Sequence, residues 1–482
     1  MGVRNIAKGV LDMRKLLSLL LVLAMAVSLC ACAGSGETNE TGNAAAANDG
    51  LQIGYAKIDI TPDFSVGLGG YSDAETRRSE GFVTYIYATC IAATYGEKTI
   101  LMFTIDNCAA SANVANKIRN VVSPATGIPE TDIFVGATHC HSCPSLTTSD
   151  DAGSKYYQLL LDATVKGATE ALADRSPAKM EAGTQIIEGM NFVRHYEMED
   201  GTHAGSNFGD FSKKIVGHST EKDPQLVLVK FDRGDDKKDV LMVNWQAHPD
   251  RGSEIGRNQI AASWVGPLRD ELESLCGMNV AYFTGASGNQ NQDSKIPEEM
   301  NNLNWRDYGI KMGQLINDAL TCLKPVEGTG IKVHNAKFDA EIDHTWDHLL
   351  AEARQVYDLW KSAGKSAGDA LGKTYNFTSS YQARAIISRS SLGATQSLEV
   401  NAFSICGVGF TTGTYEMFSD QSNYVKQNSP FEVTVIITGN SGYIPSRPAY
   451  DYRSYEADTG MYAPGTAEAL AENYVEMLNT VK

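Results

Sequence analysis

The sequence predicts an α/β fold in which layered mixed β-sheets are flanked by helices. Three observations carry that expectation. Apolar runs of strand length recur at 85–94, 100–105, 133–137, 226–231, 240–245, 280–283 and 433–437. Between them, apolar residues fall at three- and four-residue steps over 156–172, 265–275, 305–323 and 346–360, the period of an amphipathic helix. Polar clusters sit just past the strand-like runs, where layered α/β folds keep their chemistry.

The first segment reads as a targeting sequence. Arg4, Lys8, Arg14 and Lys15 form a basic region, and residues 16–29 are an apolar run short for a membrane span. The reading holds whether the start is Met1 or Met13, because Met13-Arg14-Lys15 alone supplies the basic region. The run ends Leu29-Cys30-Ala31-Cys32 before Ala33-Gly34-Ser35-Gly36, which resembles a bacterial lipoprotein signal. That resemblance implies a signal peptide over 1–32 and a lipid on Cys32. It implies an extracytoplasmic protein held to the cell membrane by that lipid anchor. Residues 33–50 are small and polar and read as a flexible tether.

Residues 51–482 are expected to form one domain of several layers, with no strong linker and no evident internal repeat. Hydrophobic content of 43% and charged content of 21% are ordinary for a globular protein. A net charge of −17 and a pI near 5.0 argue against a nucleic-acid partner. No obligate protein partner is evident. Residues 361–375, small and Gly-rich, read as a loop. Beyond Cys32 the cysteines are Cys90, Cys108, Cys140, Cys143, Cys276, Cys322 and Cys406. They are scattered and odd in number, so no disulfide framework is implied, and the redox state of Cys140 and Cys143 is left open.

The run Ile133-Phe134-Val135 leads into Ala137-Thr138-His139-Cys140-His141-Ser142-Cys143-Pro144. In a strand, residues i and i+2 share a face, so His139 and His141 are expected to project together where the strand ends. The pair suits a metal ligand with a proton-transfer partner beside it. His248 follows the run at 240–245, a polar loop over 285–292 follows 280–283, and Tyr443 follows 433–437. His195, His203, His218, His334, His344 and His348 fit no cluster and read as structural or exposed.

Further pieces complete an ordered series. Ile58-Asp59-Ile60-Thr61-Pro62 and Gly69-Gly70-Tyr71 come first, followed by the Thr138–Pro144 motif. Asn191-Phe192-Val193-Arg194, Asn244-Trp245-Gln246-Ala247-His248 and Val265-Gly266-Pro267-Leu268-Arg269 come next. Tyr415-Glu416, then Tyr443 and Tyr455-Glu456, close it. Together they resemble the neutral ceramidase family of zinc-dependent amidases over most of the chain past the tether. The resemblance implies zinc (Zn2+) held by His139, His248, Glu416 and Tyr443. It implies that His141, Tyr455 and Arg194 touch the substrate or transition state. The substrate it implies is a small amphipathic N-acyl amide, ceramide or a related N-acyl lipid.

The chemistry is coherent in its own right. Two imidazoles and a carboxylate suit zinc and leave a position open for water. His141 suits a base that later returns its proton to the leaving amine. The Tyr455 hydroxyl suits an oxyanion donor, and Arg194 suits orienting a polar substrate group. Tyr443 is the least natural ligand, because a phenol has a pKa near 10.

The chain departs from the family in three ways. Asn291-Gln292 stands where ceramidases place a serine followed by proline, which removes a serine nucleophile there and leaves the choice of ceramide open. The chain ends at Lys482, so the family's further C-terminal β domain is expected to be lacking. Cys140 and Cys143 replace a threonine and a glycine, and their Cys-x-x-Cys spacing opens a redox alternative that needs a helix starting at Cys140. The remaining alternatives are a ligand-binding surface lipoprotein on a hydrolase-like fold and a hydrolase of a non-lipid amide or ester.

Overall fold

The computed structural model describes residues 50–71 and 76–482. The signal segment 1–32 with Cys32, and the tether apart from Gly50, lie outside the described residues. The main strands are β1 (Leu51–Asp59), β2 (Tyr87–Tyr95), β3 (Lys98–Ile105), β4 (Ile133–Ala137), β5 (Lys179–Ile186), β6 (Gln225–Asp232), β7 (Val240–Trp245), β8 (Asn279–Thr284), β9 (Ile331–Glu341), β10 (Thr395–Ile405), β11 (Val408–Gly413) and β12 (Thr434–Thr438). The main helices are α1 (Ala112–Thr126), α2 (Asp151–Ala173), α3 (Val265–Cys276), α4 (Trp305–Ala319), α5 (Leu350–Ala363), α6 (Lys365–Thr374), α7 (Ser380–Arg389), α8 (Ser419–Asn428) and α9 (Thr466–Thr480).

The same wiring occurs three times. One sheet runs β4-β3-β2-β1, a second β8-β7-β6-β5 and a third β12-β11-β10-β9. In each, the first three strands in chain order pair antiparallel and the fourth pairs parallel to the third. A parallel neighbour cannot follow by a hairpin, so each parallel pair is joined through a helix, α1, α3 and α8 in turn. This threefold pattern has no counterpart in residue identity, which is why the sequence reads as free of repeats.

The inner faces of the three sheets share one apolar core. Ile91, Met102 and Phe134 come from the first sheet, Val229, Met242 and Phe283 from the second, and Phe403, Phe410 and Val435 from the third. Alternate residues of the same strands face outward onto helices. Cys90, Phe103 and Val135 lie against α1 and α2, Val243 and Tyr282 against α3 and α4, and Val400 and Ile436 against α8 and α9. Strands buried on both faces read as continuous apolar runs, and those are the strands the sequence reveals.

Each repeat carries an insertion between its first two strands: residues 60–86, 187–224 and 342–394. The first strand of each repeat ends where β3, β7 and β11 also end, because β1 and β3, β5 and β7, and β9 and β11 flank a shared antiparallel neighbour. All three insertions therefore gather at the carboxyl ends of the parallel pairs. Residues 365–374, expected to be loop, form helix α6. Their small residues are a contact surface rather than a hinge: a Cβ on Gly368 would lie 2.8 Å from the Trp360 Cβ of α5, and Gly372 packs on Phe377. The segments at 305–323 and 346–360 are helical over α4 and α5, with short 3-10 turns at Leu320–Cys322 and Asp347–Leu349.

Phe403 ties two sheets together, stacked on Phe134 at 4.2 Å and on Phe410 at 4.7 Å between ring centres. Phe403→Ala is expected to cost about 3–5 kcal/mol of stability. Urea unfolding of the variant checks this.

Candidate metal centre

The centre forms where the loops after the parallel pairs meet. In each repeat the two loops following a pair bond to one another. Past β4, His139 donates from Nδ1 to the Cys108 carbonyl in the loop past β3, at 2.6 Å. Past β7, His248 donates from its backbone N–H to the Gln290 carbonyl at 2.8 Å and from Nδ1 to the Ser287 carbonyl at 3.2 Å, both in the loop past β8. Past β11, Glu416 pairs with Tyr443, past β12, in a two-residue parallel ladder. A carbonyl opposite each Nδ1 fixes the tautomer, leaving both Nε2 atoms with lone pairs facing the centre.

His139 and His141 reach the site by a route the strand argument does not describe. β4 ends at Ala137, and His139 has φ +63°, a left-handed conformation outside any strand. The chain turns there, and the turn brings the imidazoles together. His141 Nε2 lies 3.2 Å from His139 Nε2. Gly70, itself at φ +93°, makes room: a Cβ there would lie 2.5–2.6 Å from His141 atoms. Tyr71 meets the His141 ring edge-on at 5.2 Å, and Arg77 donates to the His141 carbonyl at 2.6 Å.

Electrostatically the centre is uncompensated. His139 and His248 Nε2 atoms lie 2.9 Å apart, and Glu416 Oε2 is 3.5 Å from His139 Nε2. Glu416 Oε2 is buried without a hydrogen-bond partner, as is His141 Nδ1. Burial pushes His139 down to about 4, with the Arg194 charge adding to the effect. Burial and the neighbouring His139 hold His141 and His248 well below the usual histidine range. Burial pushes Glu416 up to about 8 against the pull of Arg194. Converging lone pairs beside a buried carboxylate repel unless a cation sits among them. His139, His248 and Glu416, all buried, have ligand atoms within 4.8 Å of one another and can hold a metal ion. The donor set therefore fits zinc.

A second cluster orders the rim. Arg194 donates to Glu456 from Nε at 2.8 Å and from Nη2 at 2.6 Å, and reaches the Tyr443 hydroxyl at 3.3 Å. Its other nitrogen lies 3.5 Å from the Asn291 Oδ1. Glu456 also meets His195 at 2.8 Å, and His195 meets the Tyr452 hydroxyl at 2.9 Å. Burial pushes Glu456 up, yet His195 and Arg194 together hold it down at about 2, so it stays ionised. Tyr455 opens a short helix, Tyr455–Thr459, capped by Ser454, and its ring stands 6.1 Å from that of Tyr443. Burial pushes the Tyr455 hydroxyl up to about 12, and burial with Glu416 drives Tyr443 well above its usual range.

All seven site residues that the sequence singles out, His139, His141, Arg194, His248, Glu416, Tyr443 and Tyr455, line this one place. Two members go unrecognised in the sequence: Glu456, noted only as the neighbour of Tyr455, and His195, read as structural or exposed. The adjacency of Arg194-His195 and of Tyr455-Glu456 was the available signal. Cys140 and Cys143, whose redox state the sequence leaves open, are joined in a disulfide. Cys90, Cys108, Cys276, Cys322 and Cys406 are free among the described residues. Both bridged cysteines are fully buried, and the next helix after Cys140 begins only at Asp151, so the arrangement a redox Cys-x-x-Cys requires is not formed.

No protein-family model matches the sequence, and no curated protein matches it. Solved structures do. The crystal structure of neutral ceramidase from Pseudomonas aeruginosa is similar with a TM-score of 0.63 at 15% identity, covering 89% of this chain and 74% of that one. A ceramidase complexed with C2 gives 0.62 at 15% identity, with coverage of 89% and 75%. At that identity the likeness is one of fold. This chain has the layered α/β architecture of those enzymes, and about a quarter of each lies outside the matched region.

The metal-free protein has a pH dependence of known sign. Glu416 keeps its proton to about pH 8 in the fold but only to 4.5 when unfolded, so this stabilisation is lost as pH rises between them. His139, near 4 in the fold against 6.5 unfolded, loses stability as pH falls over that interval. A bound cation would keep Glu416 ionised and the imidazoles neutral, which would abolish the alkaline loss. Above neutral pH, zinc is expected to raise the thermal midpoint by roughly 5 °C or more over protein kept in chelator. Coincident curves would contradict the assignment.

Proposed function

We propose that this protein is a zinc-dependent amidohydrolase that cleaves an N-acyl amide bond, with ceramide or a related N-acyl lipid as substrate. The observation that carries the reading is the buried His139–His248–Glu416 cluster, whose uncompensated donor atoms converge on a fold shared with ceramidases. His139, His248 and Glu416 would hold the metal, with Tyr443 as the fourth ligand. A zinc ion there supplies Lewis acidity and makes hydroxide available near neutral pH.

The chain's own groups divide the remaining work. His141 is neutral and faces the centre, so its Nε2 accepts the proton of the attacking water and returns it to the leaving amine nitrogen. Tyr455 remains protonated at neutral pH and donates to the developing oxyanion. Glu456 anchors Arg194, and His195 anchors Glu456, so the guanidinium is held rigidly beside Tyr443 to orient a polar substrate group. Asn291 faces Arg194 where a ceramidase has serine, and it offers hydrogen bonding without nucleophilicity. The lipoprotein signal and tether would place residues 51–482, as one catalytic domain, on the outer side of the cell membrane, tethered through Cys32.

Hydrolysis of a panel of N-acyl amides, ceramide among them, tests the reading. Turnover is expected to disappear with chelator and return with zinc. His141→Gln is expected to lower kcat by about 10²–10⁴-fold while zinc content is retained. Cleavage indifferent to chelation, or a His141→Gln variant with full turnover, would overturn it.

A further inference from the structure

A cavity beside the metal centre carries a charge pattern the mechanism does not use. It has a volume of about 770 Å³, within the ~300–1,000 Å³ typical of small-molecule sites. Arg194 and Asn291 line it, so it opens onto the rim of the metal centre. One wall is the second insertion around Phe211 and Ile215, and the other is the segment after β8 around Ile296 and Met300. The apolar lining suits an acyl or alkyl portion. The charged lining is Lys213, Lys214 and Lys295 against Asp293 and Glu298.

One of those charges is already engaged: Asp293 pairs with Arg251 at 3.3 Å. Lys213 lends only a longer-range field to Asp200 and Asp210. Lys295 lies over the Phe211 ring at 4.8 Å rather than on a carboxylate. Among the described residues, none of the three ammonium groups has a carboxylate at ion-pair distance. The Arg194 charge is already matched by Glu456, so its guanidinium can orient a polar group but leaves the cavity's unmatched positive charge on the lysines. Unpaired lysines gathered around one cavity, in a chain of net charge −17, mark a local reversal of sign.

We propose that the amide substrate bears an oxyanion group, such as a carboxylate, which Lys213, Lys214 and Lys295 receive while the scissile bond lies at the metal centre. The proposal rests on the amidohydrolase reading for the position of that bond. It narrows the substrate class from N-acyl amides in general to anionic ones, and it assigns specificity to the three lysines.

The test uses two probes of equal chain length below their micellar concentrations: N-dodecanoylglycine, which is anionic, and N-dodecanoylethanolamine, which is neutral. Calorimetric titration of the zinc-loaded protein measures each Kd, and amine release measures hydrolysis. The anionic probe is expected to bind roughly tenfold more tightly, with the advantage shrinking as salt is raised. Replacing Lys213, Lys214 and Lys295 by serine is expected to bring the two probes to parity without weakening the neutral one. All three side chains are exposed, and an unchanged unfolding midpoint verifies that the variant folds. Equal affinity in the parent, or a preference that survives the triple substitution, overturns the proposal. Anionic preference without hydrolysis of either probe keeps the anion site and defeats the amidohydrolase reading. Hydrolysis of both without preference does the reverse.

Discussion

The shared core of the three sheets is the constraint on which everything else in this protein depends. Phe134, Phe283 and Phe410 meet there with the other inward residues of their sheets. That packing leaves each sheet a single inner face and brings the ends of the parallel pairs to one place. Gly136 packs so closely on the third sheet that a Cβ would lie 2.8 Å from the Ile437 methyl. Buried backbone at the strand ends must find partners, and the loops supply them by bonding within each repeat. Asn440 donates to the Ala137 carbonyl at 3.1 Å, and Arg269 of α3 binds Asp106 past β3 at 2.6 Å. The three repeats are thereby locked together around their loops. Candidate ligands arrive one repeat at a time: His139 from the first, His248 from the second, Glu416 and Tyr443 from the third.

Once those ligands meet, their charge state follows from burial. A fully buried site disfavours imidazolium and carboxylate alike, so each group is driven toward neutrality. The Glu456 cluster shows the contrasting solution. It is equally buried, but its carboxylate faces Arg194 and His195 and stays ionised. A charge-paired cluster therefore borders one whose donors are held neutral and lack a partner. The paired cluster is suited to positioning, and the unpartnered one to taking up a cation.

How much of this the sequence discloses depends on burial. Strands such as β2, β3 and β7 are buried on both faces and stand out as apolar runs. β9, IKVHNAKFDAE, alternates exposed and half-buried residues at the edge of its sheet, and no run betrays it. Helix α6 is hidden because glycines that pack against α5 look like the glycines of a loop. The spacing of His139 and His141 reveals the pair, but strand geometry does not explain how the two converge. Period-two geometry does not operate past Ala137, and a left-handed His139 with an accommodating Gly70 takes its place. Glu456 and His195 are not legible in the sequence because a buried hydrogen bond spanning 261 residues leaves no local trace.

The central claim is that His139, His248 and Glu416 form a single cation site. Equilibrium zinc content of the purified protein, beside His139→Ala and Glu416→Gln, tests it most directly. One zinc per chain is predicted in the parent, with both variants falling to a small fraction of that at equal free zinc. A parent without stoichiometric zinc, or variants that retain it fully, would contradict the account.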